Sequence, residues 1–474
     1  MIHSLTLGNF RAFSGTVRVG LAPLTLVYGP NSAGKSSLVK SLSLIHQSVD
    51  LGRDASLHFH GPAVDLGSLE TTLHMHDRTR DLTVGVGLPF KDVVPGVSEV
   101  EIAFVRSMRG YENNRCSLSF RDLDGSTRIR LDFAPTNEAE VQFGLMPESL
   151  EAFRQLVYST DSQPLLFGGE ERLPRFDVDR LLPGRMNGWV DSPARAARRE
   201  ESPGADEWLR VADAVNSVFQ RALADFSYIG PLRQPWQRMV PVDEATGRHG
   251  VGHAGEHVLK VLRDRPSVLN MVNESLQDVL ETGYRLLVTD WGESVSAGLG
   301  GLVPPTMVPA LEHLESGTVI SPVDAGFGLS QLLPIVVEMH SRFDTLICIE
   351  QPELHLHPRL QARFGQLLRD AVQGPNNNSF LIETHSEHVL LRIQRLVREN
   401  QIDASKVKIL YVDNQEWDDD REAYVSSSES QILELRLSPE GELVDPWPGG
   451  FFDERFDEMP SVSQMGIDRG QGRE

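Results

Sequence analysis

Apolar residues along this chain fall into short blocks whose period changes from region to region. Residues 2–28 alternate brief apolar runs with turns. Leu5 and Leu7 lead into Asn9-Phe10-Arg11-Ala12-Phe13-Ser14, and Val17-Arg18-Val19 precedes the unbroken run Leu24-Thr25-Leu26-Val27-Tyr28. Such a run reads as a buried strand. After it, Leu38, Val39, Leu42 and Ile45 share one face of a helix. From about 81 to 133 the period becomes two. Cys116, Leu118 and Phe120 alternate with polar residues, as do Ile129, Leu131 and Phe133, around Asp122-Leu123-Asp124-Gly125. This pattern predicts an antiparallel hairpin in a smaller sheet. Residues 160–205, rich in Pro, Gly and charge, read as loops, and Arg195, Arg198 and Arg199 there as a solvated face. Trp208, Val211, Val215, Val218, Phe219 and Ala222 mark a helical stripe. Residues 241–256 read as a Gly-rich link, and 257–283 as helical.

Towards the C-terminus, short apolar strands alternate with amphipathic helices, the rhythm of a parallel sheet. Thr345-Leu346-Ile347-Cys348-Ile349-Glu350 is a strand that ends in a carboxylate. Pro358 then starts a helix with the stripe Leu360, Phe364, Leu367 and Leu368. Phe380-Leu381-Ile382 is a further core strand, ending at Glu383-Thr384-His385-Ser386. The helix beyond it buries Val389, Leu390, Ile393, Leu396 and Val397. Upstream, Asp324-Ala325-Gly326-Phe327-Gly328-Leu329-Ser330-Gln331 leads into a helix over Leu332–Met339. No internal repeat, heptad array or low-complexity tract is present.

Composition narrows the picture only slightly. With 474 residues, 40% hydrophobic and 24% charged, the chain has room for two domains or for one large domain with an insertion. Its net charge of −22 argues against a surface that coats nucleic acid, although a local basic patch is compatible with that sum. Cys116 and Cys348 lie far apart and offer neither a disulfide framework nor a metal motif. No apolar run approaches membrane-spanning length and Met1-Ile2-His3-Ser4-Leu5-Thr6 has no signal pattern, so the expectation is a cytoplasmic protein without membrane contact.

The candidate chemistry begins at Gly29-Pro30-Asn31-Ser32-Ala33-Gly34-Lys35-Ser36-Ser37, which fits the phosphate-binding loop Gly-x-x-x-x-Gly-Lys-Ser in its strand-to-helix setting. Glycines let backbone N–H groups wrap phosphate oxygens, and the following helix points its positive end at them. Lys35 would reach the β- and γ-phosphates of a nucleoside triphosphate, and the Ser36 hydroxyl would hold Mg²⁺. Glu350, at the C-terminal edge of a parallel strand, would complete the metal shell. Arg11 is placed to reach a phosphate or the adenine, and reads equally well as a surface arginine on a strand edge. His385, in a polar turn beside the acid strand, is placed to sense the γ-phosphate; the alternative is a helix cap by Thr384 or Ser386. Gly326, Gly328, Ser330 and Gln331 form a second anion-binding helix start.

In this order, the phosphate loop, Gly-Phe-Gly-Leu-Ser-Gln, Ile-Glu-Gln-Pro-Glu-Leu-His-Leu-His-Pro and Glu-Thr-His-Ser resemble the ATP-binding-cassette-like AAA ATPases. That group holds the overcoming-lysogenisation-defect nucleases, RecF and the structural-maintenance-of-chromosomes (SMC) proteins. Tyr228-Ile229-Gly230-Pro231-Leu232-Arg233 and the tail Trp447-Pro448-Gly449-Gly450-Phe451-Phe452-Asp453-Glu454 resemble a prokaryotic branch whose C-terminal domain has no assigned function. The resemblance implies a head-to-tail dimer around two nucleotides, with Gly326–Gln331 acting in trans, Ser330 near the partner's γ-phosphate and His385 as switch histidine. Relatives often carry an acid after the Mg²⁺ ligand, as base for the attacking water. Here Gln351 stands there, with Glu353 ranked ahead of it for that role, or hydrolysis is slow.

The expected fold is thus α/β: a phosphate-loop head with a mostly parallel central sheet, an N-terminal antiparallel β subdomain and an inserted β/helical region. The divisions fall at 1–90, 91–320, 321–400 and 401–474. The expected function is ATP hydrolysis with Mg²⁺ by a nucleotide-switched dimer in a prokaryotic defence or DNA-maintenance complex, serving a partner effector such as a nuclease. The alternatives are a single-chain nuclease drawing on Asp413 and Asp418-Asp419-Asp420, a transporter ATPase subunit, and a metal hydrolase built on His355, His357 and His385. In the tail, Trp447, Phe451 and Phe452 with Asp453, Glu454, Asp457 and Glu458 read either as a docking surface or as plugs on the core. Residues 459–474 are expected to be disordered.

Overall fold

The computed structural model describes residues 1–51, 57–91, 96–106, 114–135, 141–145, 203–224, 226–241, 250–291, 306–418 and 423–448. The basic run Arg195–Arg199, Asp419 and Asp420, and the tail beyond Pro448 lie outside the described residues.

The chain opens with β1 (Ser4–Gly8), β2 (Val17–Gly20) and β3 (Leu24–Tyr28), then α1 (Lys35–Leu51) and the short α2 (Leu69–Thr72). The first two strands part company with the third. β1 pairs antiparallel with β2 and with β4 (Leu82–Pro89). From there β5 (Glu99–Arg106), β6 (Asn114–Arg121), β7 (Thr127–Pro135) and β8 (Val141–Leu145) extend a meander. The result is one seven-stranded antiparallel sheet, ordered β2-β1-β4-β5-β6-β7-β8. The predicted hairpin at 116–133 is β6–β7, paired across Cys116↔Phe133 and Leu118↔Leu131. It belongs to the same sheet as the N-terminal strands, because β1 and β4 bury their apolar faces on the same side. Leu5, Leu7, Val84, Val86, Val100, Ile102, Leu118 and Phe120 join one core with Leu38, Val39 and Leu42 of α1.

α3 (Pro203–Ala224) returns the chain to β9 (Phe226–Ile229), followed by β10 (Val240–Pro241). The predicted helix over 257–283 is interrupted. α4 (Val258–Asp264) ends at Arg265 (φ −134°, ψ 79°) and α5 (Pro266–Glu274) restarts at the proline. A residue before proline is disfavoured in the α region, so the break lies where Pro266 puts it. β11 (Tyr284–Trp291), β12 (Thr306–His313) and β13 (Val319–Ile320) form a small antiparallel sheet with β10.

The remaining elements are α6 (Phe327–Ser341), β14 (Leu346–Glu350), α7 (Pro358–Gln373), β15 (Ser379–Glu383), α8 (Glu387–Arg398), β16 (Val407–Asp418) and β17 (Ala423–Leu435). The central sheet runs β17-β16-β3-β15-β14-β9, parallel throughout except for the antiparallel edge strand β17. Every residue of β3, β14 and β15 is buried, as expected of a parallel sheet covered on both faces. Alternate residues feed two cores. Val27, Cys348 and Leu381 face α1 and Phe219 of α3, whereas Leu26, Ile347, Ile349 and Ile382 face Leu333, Phe364 and Ile393 of the helices opposite. β9 lies inside the stretch predicted as an insertion, yet it forms an edge of this central sheet.

Candidate functional site

The strand order builds the site. β15 lies between β3 and β14, so three strand ends open on one sheet edge: residues 29–37 after β3, Glu383–Ser386 after β15, and Glu350–Gln351 after β14. In open α/β sheets the carboxyl ends of the strands are where ligands bind.

The phosphate loop is wedged from both sides. Gly29 has φ 141°, and a Cβ there would lie 2.0 Å from the Val412 carbonyl oxygen of β16. Gly34 has φ 100°, and its Cβ would lie 2.4 Å from Ala12 Cβ in the turn after β1. Only glycine tolerates these conformations at such close approach. Asn31 and Ser32 are exposed, Ser36 is half-buried, and Ala33, Lys35 and Ser37 are buried. Lys35 opens α1 and folds back, its Nζ donating to Gly29 O (3.0 Å) and Pro30 O (2.7 Å). Burial lowers its pKa, opposed by the charges of Glu383 and Glu353.

Two carboxylates end neighbouring strands in register, Glu350 beside Glu383. Burial and, next, the charge of Glu383 raise the Glu350 pKa to about 7, against the pull of Lys40, a hydrogen bond from Tyr228 and Arg11. Tyr228 Oη donates to Glu350 Oε1 at 3.1 Å. Arg11 is near enough for its charge to act on Glu350, and it sits at φ 51° in a turn held by Arg11 N–H to Thr72 O (2.7 Å).

Glu353 clamps the turn after β15. Its carboxylate accepts from Thr384 Oγ1 (2.7 Å) and from the His385 N–H (2.7 Å). Ser386 is the N-cap of α8, accepting from Val389 N–H at 3.1 Å, and its carbonyl accepts from Tyr28 Oη at 3.1 Å. The capping alternative thus holds for Ser386 and leaves His385 for other work. Burial, with the nearby Lys35 charge, depresses the His385 pKa to about 4, so the ring is neutral. His385 Nε2 and Glu383 Oε2 are both buried without a hydrogen-bond partner. Gln351 turns the chain away from β14 at φ 46°, its N–H bonded to Glu383 O (2.7 Å).

The Gly326–Gln331 segment stands apart from this edge. Gly326 is the exposed N-cap of α6, and a Cβ there would meet nothing within 4 Å. A Cβ on Gly328 would lie 2.4 Å from His355 O of the same chain. Ser330 and Gln331 are 6% and 3% exposed. Ser330 O accepts from Trp236 Nε1 (3.1 Å), and the Gln331 amide straddles the Arg233 backbone, 3.3 Å to its N–H and 3.3 Å to its carbonyl. The resemblance implies that Ser330 faces a partner; in this chain Ser330 and Gln331 face inward, and the accessible end of the segment is Asp324–Gly326.

His355 and His357 serve the turn between β14 and α7, with His357 Nδ1 capping α7 through the Arg359 N–H (3.3 Å). Among the described residues no group of three or more His, Cys, Asp or Glu side chains is arranged to hold a metal ion. That removes the support for a hydrolase metal centre on His355, His357 and His385. Asp413 is buried within β16. Trp447, one of the tail aromatics, packs edge-on against Tyr28 and Tyr411, with ring centroids 5.6 and 5.9 Å away. It is a plug on the core.

Sequence reasoning passed over Glu383, Lys40 and the contacts of Tyr228 and Arg233. The signal for Glu383 was present: Ile349-Glu350 and Ile382-Glu383 end two parallel core strands in the same way.

Residues 270–392 match the family model described as "AAA domain, putative AbiEii toxin, Type IV TA system". An AAA-type ATPase domain is present. The match takes in Gly326–Gln331, Glu350 and His385, leaves out the phosphate loop, and spans well under half of the chain. Among solved structures, the SMC head bound to the C-winged-helix domain of ScpA aligns with a TM-score of 0.41 at 10% identity, over 92% of this chain and 98% of that one. The SMC head domain from Thermotoga maritima aligns at 0.37 and 10% identity, covering 92% and 99%. The Smc head with an extended coiled coil, bound to the C-terminal domain of ScpA derived from Pyrococcus furiosus, aligns at 0.37 and 12%, covering 92% and 96%. These scores are too low to carry residue roles across. No curated protein gives a significant match.

Proposed function

We propose that this protein binds ATP with Mg²⁺ at the shared edge of β3, β15 and β14 and hydrolyses it. The observation that carries the reading is the convergence of the phosphate loop, Glu350 and the Glu383–His385 turn on that edge, with two buried polar atoms there lacking partners. Asn31, Ser32, Ala33, Gly34, Ser36 and Ser37 supply loop N–H groups and hydroxyls for the phosphates. Lys35, which donates to two carbonyl oxygens of its own loop, exchanges them for phosphate oxygens, which it binds more strongly as a cation. Ser36 and Glu350 would hold Mg²⁺, which supplies charge neutralisation between the phosphates.

Glu353 has hydrogen bonds to both oxygens, so we assign it to holding the Thr384–His385 turn. Gln351 shapes the corner after β14 and orients water. Glu383 keeps one oxygen unpartnered next to Glu350 and Lys35, and accepts the proton of the attacking water as its oxygen bonds to the γ-phosphorus and the bond to ADP breaks. His385, neutral, donates one hydrogen bond from its ring N–H to a γ-phosphate oxygen. Arg11 adds positive charge opposite Glu350.

We extend the reading to a nucleotide-switched dimer that licenses a partner protein, as in a prokaryotic defence or DNA-maintenance complex. The exposed Asn31–Ser32 loop and the exposed Gly326 N-cap are the surfaces it would join. Among the described residues no helix is long and apolar enough to cross a membrane. The test is phosphate release and light-scattering mass, with and without ATP and Mg²⁺, for wild type, Lys35→Ala and Glu383→Gln. Release and a mass increase are both expected for wild type alone. ATP binding that survives Lys35→Ala unchanged would sink the assignment of the site.

A further inference from the structure

The segment from β9 to Arg238 touches both the α6 side and the Glu350 corner. On the α6 side, Ser227 Oγ donates to the buried Glu338 carboxylate (2.5 Å), the Arg233 backbone is gripped by the Gln331 amide, and Trp236 donates to Ser330 O. Arg238 forms a two-pronged ion pair with Asp324 at 2.6 and 2.7 Å. On the β14 side, Tyr228 donates to Glu350 Oε1, and Arg233 donates Nη2 to Glu350 O (2.6 Å) and Nη1 to Gln351 O (3.3 Å).

Arg233 is the residue common to both sides. It is 3% exposed, and it remains a cation, its pKa lowered to about 10 by burial against the charges of Glu353 and Glu350. Its fork spans the two carbonyls that flank a left-handed backbone corner, since Gln351 has φ 46°. A non-glycine residue in that region costs of order 1 kcal/mol and needs outside support to persist. A buried guanidinium bridging the adjacent carbonyls is such support, and a lysine ammonium cannot span both with one planar group.

We propose that Arg233 is a positioning residue that couples the Gly326–Gln331 helix start to the Glu350–Gln351 corner. A shift of α6 at Gln331 moves the Arg233 backbone, and the guanidinium carries that shift to the two carbonyls that aim Glu350 and the Gln351 side chain. Whatever engages the exposed Gly326 end therefore resets the acid at the far side of the sheet edge without touching it. The coupling itself is a property of the chain; its consequence for turnover rests on the ATPase reading above.

The test uses the full chain with Arg233→Lys, Gln331→Leu and the double variant, each checked for wild-type-like melting. Amide hydrogen exchange without nucleotide is the first readout. Arg233→Lys is expected to speed exchange both at 326–331 and at 350–353, with 24–28 unchanged. Gln331→Leu, which leaves the arginine in place, is expected to speed exchange at 350–353 as well. With ATP and Mg²⁺, each single variant is expected to lower kcat roughly tenfold at nearly constant KM. The double variant should lose little more than either alone, the mark of residues acting as one unit. Gln331→Leu with 350–353 exchanging as in wild type overturns the coupling. Wild type that turns over no ATP while the exchange response is intact sinks the ATPase reading and leaves the coupling standing.

Discussion

Two glycine-bearing loops in this molecule each lead into a helix, and they are put to opposite uses. The loop at 29–37 keeps its chemistry available. Asn31 and Ser32 are exposed, and Lys35 donates to two carbonyls of its own loop. The segment at 326–331 has its polar side chains committed inside the chain, with Gln331 on the Arg233 backbone and Ser330 buried beneath Trp236. Both read alike as helix starts rich in Gly and Ser. What separates them is the packing behind each loop, which local sequence does not encode: the carboxyl edge of the central sheet in one case, the 226–238 segment in the other. A glycine and a serine before a helix mark a place where an anion can sit, and the neighbours decide whether it does.

The comparison can be broken most sharply at Lys35. Lys35→Ala should reduce phosphate release by at least about a hundredfold, the loss typical of a charged transition-state contact; release within a fewfold of wild type would put the two loops on a par. Next in size is an acid sensitivity on the α6 side. His340 is largely buried, its Nε2 is 2.7 Å from Ser275 Oγ, and burial depresses its pKa from 6.5 to about 4. Because the folded pKa lies below the unfolded one, the unfolded chain binds more protons between these values. Stability is full above pH 6.5 and falls, by up to about 3 kcal/mol, as pH drops towards 4. Urea midpoints across that range should flatten in His340→Gln.

Gly29→Ala should cost about 2 kcal/mol or more, because the new methyl would collide with Val412 O at a φ that alanine resists. Urea unfolding measures it. Tyr228→Phe removes one hydrogen bond to Glu350 and should slow hydrolysis by a fewfold, about 1 kcal/mol, with ATP binding retained. The smallest effect belongs to Gly326→Ala. With open space around it and φ −52°, stability should stay within about 0.5 kcal/mol. A phosphate-release rate that falls with ATP-dependent mass unchanged would show that Gly326 serves its own chain rather than a partner.

Much of the central edge was legible from local pattern. Leu24–Tyr28, Leu346–Glu350 and Phe380–Ile382 are apolar runs bounded by polar turns, and each is a core strand. That the Phe380–Ile382 strand lies beside the acid strand was legible; that β3 lies on its other side and β9 beyond β14 was not, because pairing depends on α6, α7 and α8 filling the face opposite α1. β9 escaped notice for a related reason: four residues, Phe226-Ser227-Tyr228-Ile229, carry too little periodicity to announce a strand. Pro266 did announce the break between α4 and α5, and the wider apolar pattern over 257–283 hid it. Arg233 enters the sequence reading only as the end of the Tyr228–Arg233 motif and without partners, since nothing nearby hints at contacts about a hundred residues downstream in the chain.

The position of β3 also bears on how the protein is made. Its two neighbours in the sheet are β15 and β16, residues 379–383 and 407–418, so β3 pairs with strands synthesised long after it. When residue 300 has been added, the phosphate loop is complete, while β14, β15, β16 and β17 of the sheet around it are still to come. Until β15 and β16 emerge, Leu24, Leu26 and Tyr28 have no strand beside them, and apolar side chains that end up fully buried stay uncovered. The phosphate loop therefore leaves the ribosome well before the strands that flank β3.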